Sequence, residues 1–577
     1  MDYKFEAAKA ISRILNNTLS TDEIAQYITP APSAELGDMA FPCFRLAKEL
    51  KKSPARIAND ICTKLNEGLP DFISAVAATG GYLNIFLNRA LFVGQTVSEV
   101  ATRGKDYGRS ELGQNRVTLV EYSSPNVAKH FHVGHLGTTI IGHALYNIFG
   151  FLGYKTIGLN YLGDWGTQFG KLITAFKKWG SREDIEATGI DGLTKIYVKF
   201  HDEADKDASL NGEARAWLLK MQNGDAEAME LWRWFLDLSV IEYQRVYKRL
   251  GIEFDSYRGE SYYNEKMDAV VATLKEKNLL VESNGAMIVD LSEYKMPPCL
   301  ILRSDGGTLY PSRDIAAALD RKQTYDFHKS LYVTGMDQTL HFEQWMKVVE
   351  LMGEPWVKDM AHIPYGLVVF EEGKLSTRKG NVIKMEDLLD EAVAKTLSII
   401  EQKNPDLPDK ELVAEQVGLG AVIFNQLYSS RIKDVLFSWD RMLNFEGETG
   451  PYVQYTHARA CSVLARAGTF AVPESEGNIA KNGFDASLIS DEYSFEVAKA
   501  IGAFPAAIIE AAEKYEPFLI SRSLIYISQA FNKFYHANTI ICDDKNLRAA
   551  RLSLTNVVRQ TLKNGLALLG IESPIRM

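Results

Sequence analysis

An alternation of short apolar runs and helix-like segments between residues 117 and 180 constrains the fold of this chain more than any other feature. The run "VTLVEYS" (117–123) is apolar and β-branched, as a buried strand is. A helix-like segment (136–154), a strand-like run that starts at Lys155 and a second helix-like segment (167–180) follow it. This order is typical of a doubly wound parallel sheet, so we expect an α/β core.

The length of 577 residues exceeds what one hydrophobic core supports, so several domains are expected. The first part mixes helical patterns with the strand-like "GGYLNIFLN" (80–88), and a helical, charged stretch at about 185–260 indicates an insertion that splits the sheet domain. The predicted domains are an N-terminal α+β domain (1–110), a split Rossmann-like catalytic core (111–385), a helical connector (386–440) and an all-helical C-terminal domain (441–577).

Composition limits the kinds of partner and the cell compartment. No apolar run reaches the length of a membrane span, and the start of the chain lacks the apolar stretch of a signal peptide. The five cysteines are scattered without a C-x-x-C pair, which favours reduced cytoplasmic thiols over a structural zinc site. The net charge of −10 excludes general electrostatic capture of nucleic acid, although residues 541–577 carry six Lys or Arg against three acids. Taken alone, that basic end is a solvated helix face.

Three histidines, His130, His132 and His135, lie within six positions directly after the first predicted strand. A zinc site would need a closed set of ligands, but no cysteine or H-E-x-x-H glutamate accompanies them and Gly134 weakens a helix there. An accidental surface cluster is the second alternative. The third alternative uses position, because ligands bind where parallel strands end and the start of a helix attracts anions. Two imidazoles at that place can donate hydrogen bonds to phosphate, and Gly134 lets a nucleotide approach the backbone.

The segment His132-Val133-Gly134-His135 resembles the H-I-G-H signature of class I aminoacyl-tRNA synthetases, although other nucleotidyl transferases carry a similar H-x-G-H. A second element, "GKLSTRKGN" (373–381), resembles the K-M-S-K-S loop that closes over ATP phosphates in these enzymes. It departs from the general motif at Thr377, where the second lysine is expected. Further stretches narrow the resemblance to the arginyl-tRNA synthetase family: "VEYSSPNVAKHFHVGHLGTTIIG", "NYLGDWGTQFG", "LYPSRDIAAALDR", "YVTGMDQTLHF", "FEGETGPYVQYTHAR" and "LGIESPIRM".

The resemblance implies ATP-dependent ligation of L-arginine to tRNA(Arg) through an arginyl-adenylate, with release of AMP and pyrophosphate and with Mg²⁺ accompanying ATP. It implies catalytic roles for His132, His135, Lys129 and Lys374. It implies contacts with ATP for these residues: His132, Gly134, His135, Gly335, Asp337, Lys374 and Ser376. It implies contacts with arginine for Glu121, Asn126, Tyr310, Asp314 and Gln338.

A guanidinium substrate needs carboxylates placed for forked hydrogen bonds, and Glu121 and Asp314 are the expected pair. Without the resemblance, Glu121 is interpreted as a charge at a sheet edge and Asp314 as a helix N-cap.

The resemblance also assigns tRNA binding to the N-terminal domain and anticodon binding to the C-terminal helices. Tyr452 and Tyr455 either stack on unpaired bases or pack between helices. The alternatives for function are another H-x-G-H nucleotidyl transferase and a non-catalytic tRNA-binding paralogue. We expect a cytoplasmic monomer without membrane contact.

Overall fold

The computed structural model describes residues 3–304, 309–370, 383–468 and 484–577. The helices are α1 (Tyr3–Ile14), α2 (Thr21–Tyr27), α3 (Leu46–Leu50), α4 (Pro54–Asn66), α5 (Arg89–Arg103), α6 (Leu136–Phe151), α7 (Thr167–Trp179), α8 (Arg182–Thr188), α9 (Ile190–Ala204), α10 (Ser209–Gln222), α11 (Ala226–Arg249), α12 (Met267–Glu276), α13 (Tyr310–Tyr325), α14 (Thr339–Leu351), α15 (Met385–Lys403), α16 (Lys410–Leu427), α17 (Trp439–Met442), α18 (Gly450–Arg466), α19 (Glu492–Gly502), α20 (Phe504–Lys514), α21 (Phe518–Ala537) and α22 (Lys545–Leu568). The strands are β1 (Thr29–Pro30), β2 (Met39–Pro42), β3 (Ile73–Thr79), β4 (Tyr82–Leu87), β5 (Val117–Glu121), β6 (Lys155–Leu159), β7 (Val281–Ser283), β8 (Ala286–Val289), β9 (Cys299–Leu302), β10 (Lys329–Gly335), β11 (Met360–Tyr365), β12 (Val368–Phe370) and β13 (Val435–Phe437).

The central sheet is parallel, with the strand order β11-β10-β5-β6. Consecutive residues of β5 are buried, which requires cover on both faces of the sheet. Helix α6 connects β5 to β6, which is the neighbour of β5 at one edge of the sheet. Helix α14 connects β10 to β11, which is the neighbour of β10 at the other edge. The prediction of a doubly wound parallel sheet is confirmed. The order reverses between β5 and β10, and ligands bind at such a point, beyond the carboxyl ends of the strands.

The predicted insertion, at about 185–260, lies in the segment between β6 and β10. Its helices α8 to α11 fill the stretch that sequence predicted to be helical and charged. The strand-like runs that follow do not join the parallel sheet, because β7, β8 and β9 pair with each other in an antiparallel sheet of three strands. Beyond the parallel core the chain is helical, as predicted, except at β13, which pairs in parallel with β12. A strand of three residues is too short for a periodic signal, so the prediction of helix alone was wrong there.

The chain forms two compact units. The first contains Met1–Tyr107, Arg459–Phe504 and Tyr526–Leu562, and the second contains Gly108–Ala458, Pro505–Ile525 and Lys563–Met577. The second unit holds the parallel sheet and every site residue discussed below. The predicted boundaries at residues 110, 385 and 440 stay predictions.

In the first unit, an antiparallel sheet of order β1-β2-β4-β3 carries α4, and α5 packs against α19. The rings of Phe92 and Phe495 meet edge to face at 5.4 Å, and the Tyr107 hydroxyl donates to the Ile501 carbonyl oxygen at 3.0 Å. The predicted N-terminal α+β domain is therefore packed directly against part of the C-terminal helices. No helix in the described part of the chain is long and apolar enough to cross a membrane.

Candidate active site

The carboxyl ends of β5 and β10 frame the crevice at which the strand order reverses. Glu121 is the last residue of β5 and Gly335 is the last residue of β10. Directly after β5 the backbone takes left-handed conformations at Ser123, Ser124 and Ala128, with φ of +67°, +47° and +62°. Such conformations are costly for residues other than glycine and cluster at functional sites. The loop from β5 to the histidines is thus held in one specific shape.

Side-chain hydroxyls anchor this loop to its neighbours. The Ser123 N–H donates to Thr138 Oγ1 at 2.9 Å, and that hydroxyl donates to the Val333 carbonyl oxygen of β10 at 2.6 Å. The Ala128 N–H donates to Ser239 Oγ in α11 at 3.0 Å. Both strands of the crevice and an inserted helix therefore fix the path of the loop.

Asn126 and Lys129 are exposed on the same loop, and their backbone is fixed. The Tyr243 hydroxyl of α11 lies 2.8 Å from the carbonyl oxygens of both residues. Asn126 also forms a parallel bridge with Gly163, at which a Cβ atom would collide with Asn126 Oδ1. Gly163 thus permits a close approach that leaves the Asn126 side chain facing the solvent-accessible side of the loop.

His132 and His135 form a compact pair at the start of α6. Their ring centroids lie 4.1 Å apart, and the Gly134 N–H donates to His132 Nδ1 at 3.0 Å. The His132 N–H donates to His135 Nδ1 at 3.2 Å. A Cβ atom at position 134 would lie 2.6 Å from His132 Cε1, so glycine is needed for this arrangement. Because His132 Nδ1 accepts the Gly134 N–H, the neutral His132 ring carries its proton on Nε2, whereas His135 Nδ1 lies 3.2 Å from both the N–H and the carbonyl oxygen of His132.

Both imidazoles are held neutral. Burial lowers the pKa of His135 to about 3, with a further contribution from His132, and the buried Phe131 ring stacks on it at 5.1 Å. Burial also lowers the pKa of His132, as does the charge of the nearby Lys129 ammonium. The neutral His132 ring presents an Nε2–H donor, the neutral His135 ring lies against it, and the Lys129 charge acts on both. This set can stabilise phosphate oxygens, and no buried imidazolium that would need a counter-ion is present in it.

His130 does not join this pair in the way that a three-histidine metal site would require. Its Nε2 lies 3.3 Å from Asp191 Oδ1, and its Nδ1 lies 3.7 Å from Glu242 Oε1. Within the described residues, no group of three or more His, Cys, Asp or Glu side chains is placed to hold a metal ion.

A cluster of acids includes Glu121, the last residue of β5. It contains four carboxylates and two guanidinium groups that interact electrostatically with one another: Glu121, Asp164, Glu260, Asp314, Arg313 and Arg321. Four negative and two positive charges leave an excess of two carboxylates when all are ionised. Burial, with contributions from Asp314 and Asp164, raises the pKa of Glu260 to about 7, although Arg313 opposes the shift. An additional cation would stabilise this cluster.

Asp314 lies inside α13 and is not a helix N-cap, because that helix begins at Tyr310 and its N-cap residue is Leu309. Asp314 Oδ2 lies 2.6 Å from His341 Nε2, and the Tyr161 hydroxyl donates to Asp314 Oδ1 at 3.4 Å. Its side chain keeps 21% of its accessible surface. The carboxylate is thus oriented from two sides and still accessible to a ligand.

Glu121 has a different environment from the one that sequence suggested. It lies on β5, in the interior of the sheet, and is 5% exposed, so it is no charge at a sheet edge. Its Oε2 lies 2.5 Å from Arg321 Nη1, so the protein itself supplies its counter-ion. Burial raises the pKa of Glu121 and Arg321 opposes this. The carboxylate beside Asp314 that is better placed for a second cation is Glu260, which is 16% exposed and pairs with Arg313 at 2.9 Å.

The remaining expected residues lie around the crevice. Tyr310 is 63% exposed in the first turn of α13, and Gln338 Nε2 lies 3.4 Å from Asp337 Oδ2 in the turn after β10. A Cβ atom at Gly335 would lie 2.5 Å from Asp337 Oδ1, so the Asp337 carboxylate lies close against the end of β10. Lys374, Ser376 and Thr377 lie outside the described residues.

Sequence reasoning missed five residues of this site: Tyr161, Asp164, Glu260, Arg313 and Arg321. Arg321 follows Asp314 by seven positions, which places both on one face of a helix, so helical spacing alone contained a signal for it. Tyr161 stands in a loop, and Glu260 is the first residue of a short 3-10 helix, Glu260–Lys266. Nothing in their spacing distinguishes them.

The paired histidines stand at a helix start, at the switch point of a parallel sheet. This arrangement is typical of nucleotide-binding α/β proteins. Three family models match the chain. They are "tRNA synthetases class I (R), catalytic domain" over residues 96–439, "DALR anticodon binding domain" over 453–577 and "Arginyl tRNA synthetase N terminal domain" over 6–87.

Whole-chain comparisons agree with these models. The chain is 50% identical over 577 residues to an arginine–tRNA ligase of Halothermothrix orenii, with 100% of both chains covered. It is 49% identical over 576 residues to an arginine–tRNA ligase of Clostridioides difficile, again with 100% of both covered. The structure is similar to an arginyl-tRNA synthetase of Thermus thermophilus, with a TM-score of 0.81, 26% identity and 100% of both chains covered. The chain belongs to the arginine–tRNA ligase family of class I tRNA synthetases. Full-length similarity favours this assignment over a small-molecule nucleotidyl transferase.

Proposed function

We propose that this protein ligates L-arginine to tRNA(Arg) with ATP, through an arginyl-adenylate, and releases AMP and pyrophosphate. One observation carries the proposal: neutral imidazoles stand at the start of the helix that follows β5, and the residue that ends β5 belongs to a cluster in which carboxyl groups outnumber guanidinium groups by four to two. The first set suits phosphate and the second suits a cationic amino acid. The reaction needs both reactants within reach of each other, because the carboxylate of arginine attacks the α-phosphate of ATP.

The histidine pair is proposed to bind the phosphates. The Nε2–H groups of His132 and His135 donate to phosphate oxygens, and the preorganised turn keeps these donors in place as charge develops. Gly134 allows ATP to approach the backbone at the start of α6. Lys129 and, in the loop that the structure does not describe, Lys374 and Ser376 complete the phosphate contacts. Gly335 and Asp337 shape the ribose side at the end of β10.

The acid cluster is proposed to select arginine. Asp314 binds the guanidinium of the substrate, and Glu260 supplies the second carboxylate. Glu121 contributes through its pairing with Arg321 instead of by direct contact. Tyr310 covers the aliphatic part of the substrate, and Asn126 and Gln338 bind its amino and carboxylate ends.

The proposals for Mg²⁺, for tRNA binding and for the oligomeric state rest on the same family assignment. Mg²⁺ enters the site with ATP, bound mainly by phosphate oxygens and water. The N-terminal domain and the helical C-terminal domain bind tRNA, with Tyr452 and Tyr455 as candidates for stacking on bases. We propose that the enzyme acts as a cytoplasmic monomer.

The nucleotide products test the proposed chemistry. The protein is incubated with α-labelled ATP, arginine and total tRNA, and the products are separated. The proposal predicts one AMP for each arginyl-tRNA formed, and no AMP above background without arginine. Formation of ADP in place of AMP, or AMP formation that is independent of arginine, would show that the α-phosphate is not the site of attack by this amino acid.

A further inference from the structure

A buried ion pair lies beneath the proposed arginine pocket. Arg321 is 2% exposed, and its Nη1 lies 2.5 Å from Oε2 of Glu121 at the end of β5. Removing two charges from water costs free energy, and apolar residues often stabilise a core as well or better. Stability alone is therefore a weak reason for this pair. Its place, beside the crevice, suggests a role in the site.

Three tyrosine rings surround the Arg321 guanidinium. Its central carbon lies 5.1 Å from the Tyr161 ring centroid, 5.7 Å from that of Tyr332 and 5.8 Å from that of Tyr263. These distances are within the range of cation–π attraction, which is strongest when the groups are desolvated. Burial raises the pKa of Tyr161 and Tyr332, so their hydroxyl groups stay protonated and remain donors.

Tyr161 connects this pair to the substrate side. Its hydroxyl donates to Asp314 Oδ1 at 3.4 Å, while its ring faces the Arg321 guanidinium. Asp314 and Arg321 are seven residues apart in α13, so they lie on the same side of the helix, about 10 Å apart along its axis. Tyr161 spans this interval, and a shift of the guanidinium would therefore move the hydroxyl that orients Asp314.

We propose that Arg321 is a positioning residue for the choice of amino acid: it neutralises Glu121 and holds the Tyr161 ring, so that the Tyr161 hydroxyl orients Asp314 toward the substrate. The proposal rests on the assignment of the arginine pocket. It also explains how two acids so close together differ in role. Glu121 is satisfied inside the protein, and Asp314 remains accessible for a ligand cation.

The shape of the guanidinium matters in this arrangement as much as its charge. A planar group packs against several rings and bonds a carboxylate at once, whereas a lysine ammonium is a compact point charge on a flexible stem. Arg321→Lys therefore keeps the charge beside Glu121 and removes the flat surface against Tyr161. Tyr161→Phe keeps the ring and removes only the hydroxyl that reaches Asp314.

A double-mutant cycle on the full-length enzyme tests the proposal. The KM for arginine, the KM for ATP, kcat and the thermal midpoint are measured for Arg321→Lys, Tyr161→Phe and the double variant. Asp320→Asn is the matched control, since this acid of the same helix forms its ion pairs with Lys266 at 2.9 Å and with Arg258 at 3.9 Å. Each single variant should raise the KM for arginine roughly tenfold, the scale of one charge-assisted contact, and leave the KM for ATP within about twofold. The control should change neither KM.

The cycle separates positioning from general stability. If Arg321 acts through Tyr161, Arg321→Lys should raise the KM for arginine by less than about threefold in the Tyr161→Phe background, because residues in one network are not additive. Fully additive effects, or equal increases in both KM values, would overturn the proposal. If Arg321→Lys fails to fold, Tyr161→Phe still tests the proposal, because an unchanged KM for arginine in that variant would contradict it. Failure of the wild-type protein to use arginine would instead reject the proposed function.

Discussion

Replacing Asp314 by Asn should weaken the binding of arginine and leave the binding of ATP almost unchanged. The substitution preserves size and shape and removes one negative charge. The carboxylate is held between His341 at 2.6 Å and Tyr161 at 3.4 Å, so the amide will occupy nearly the same place. The change is therefore a test of charge at a fixed position.

The magnitude follows from the burial of this carboxylate. Removing one partner of a buried, hydrogen-bonded charge pair costs about 2–5 kcal/mol. The Asp314 side chain keeps 21% of its surface, and solvent screening places the expected cost toward the lower end of that range. About 2–3 kcal/mol corresponds to a roughly 30- to 150-fold increase in the KM for arginine, at about 1.4 kcal/mol per decade. The preference for arginine over its neutral isostere citrulline should fall by a similar factor.

Aminoacylation at saturating tRNA measures this effect, with arginine, lysine and citrulline as alternative substrates. The thermal midpoint of each variant is recorded in parallel, and Asp320→Asn on the same helix is the control. A KM for arginine within threefold of the wild-type value would refute the reasoning. So would a parallel increase in the KM for ATP, because it would indicate a disturbed fold and not a lost contact.

Three further predictions concern the titratable groups. His132→Ala or His135→Ala should slow adenylate formation by about 2–4 kcal/mol in barrier, the scale of one preorganised donor, with little change in thermal midpoint; near-normal rapid-quench rates would exclude the phosphate role. Since the pKa of Glu260 is raised to about 7, its carboxylate is largely protonated below that pH, so the KM for arginine should fall as pH rises through about 7; a Glu260→Gln variant that keeps the same pH profile would refute this. Burial lowers the pKa of His143 to about 4, so the unfolded chain binds the extra proton and stability is lost as pH falls from about 6.5 to about 4. That loss approaches about 3 kcal/mol. In denaturant unfolding, the free energy of unfolding of His143→Gln should therefore depend less steeply on pH than that of the wild type, and an unchanged dependence would contradict this.

The local patterns of the sequence were sufficient to predict the parallel sheet and the position of the histidine pair. Both depend on short-range signals, because a buried strand followed by a helix places its connecting loop at the carboxyl edge of the sheet. The pairing of β5 with β10 was not predictable in this way. About 200 residues separate these strands in the chain, so no local pattern contains their pairing or their register.

The same distinction separates the predicted from the missed site residues. Asp314 stands in a recognisable segment, and its substitution has a clear expected effect. Tyr161 lies in the loop after β6, and Glu260 begins a short 3-10 helix after the inserted helices, so the neighbours of both residues depend on the tertiary fold. The ion pair of Glu121 with Arg321 also depends on it, because a strand end and a helix must meet before either charge has a partner. The sequence identified Glu121 and Asp314 as candidate acids. The structure shows that Glu121 is buried against Arg321 and that Asp314 keeps part of its surface accessible.

Charging of total tRNA with each of the twenty labelled amino acids, one at a time, tests the central claim most directly. The claim is that one crevice combines phosphate donors with carboxylates selective for a guanidinium. The account predicts ATP-dependent charging with arginine, and charging with lysine lower by at least about a hundredfold, because an ammonium cannot make forked contacts with Asp314 and Glu260 together. Efficient charging with any other amino acid, or no charging with arginine, would contradict it.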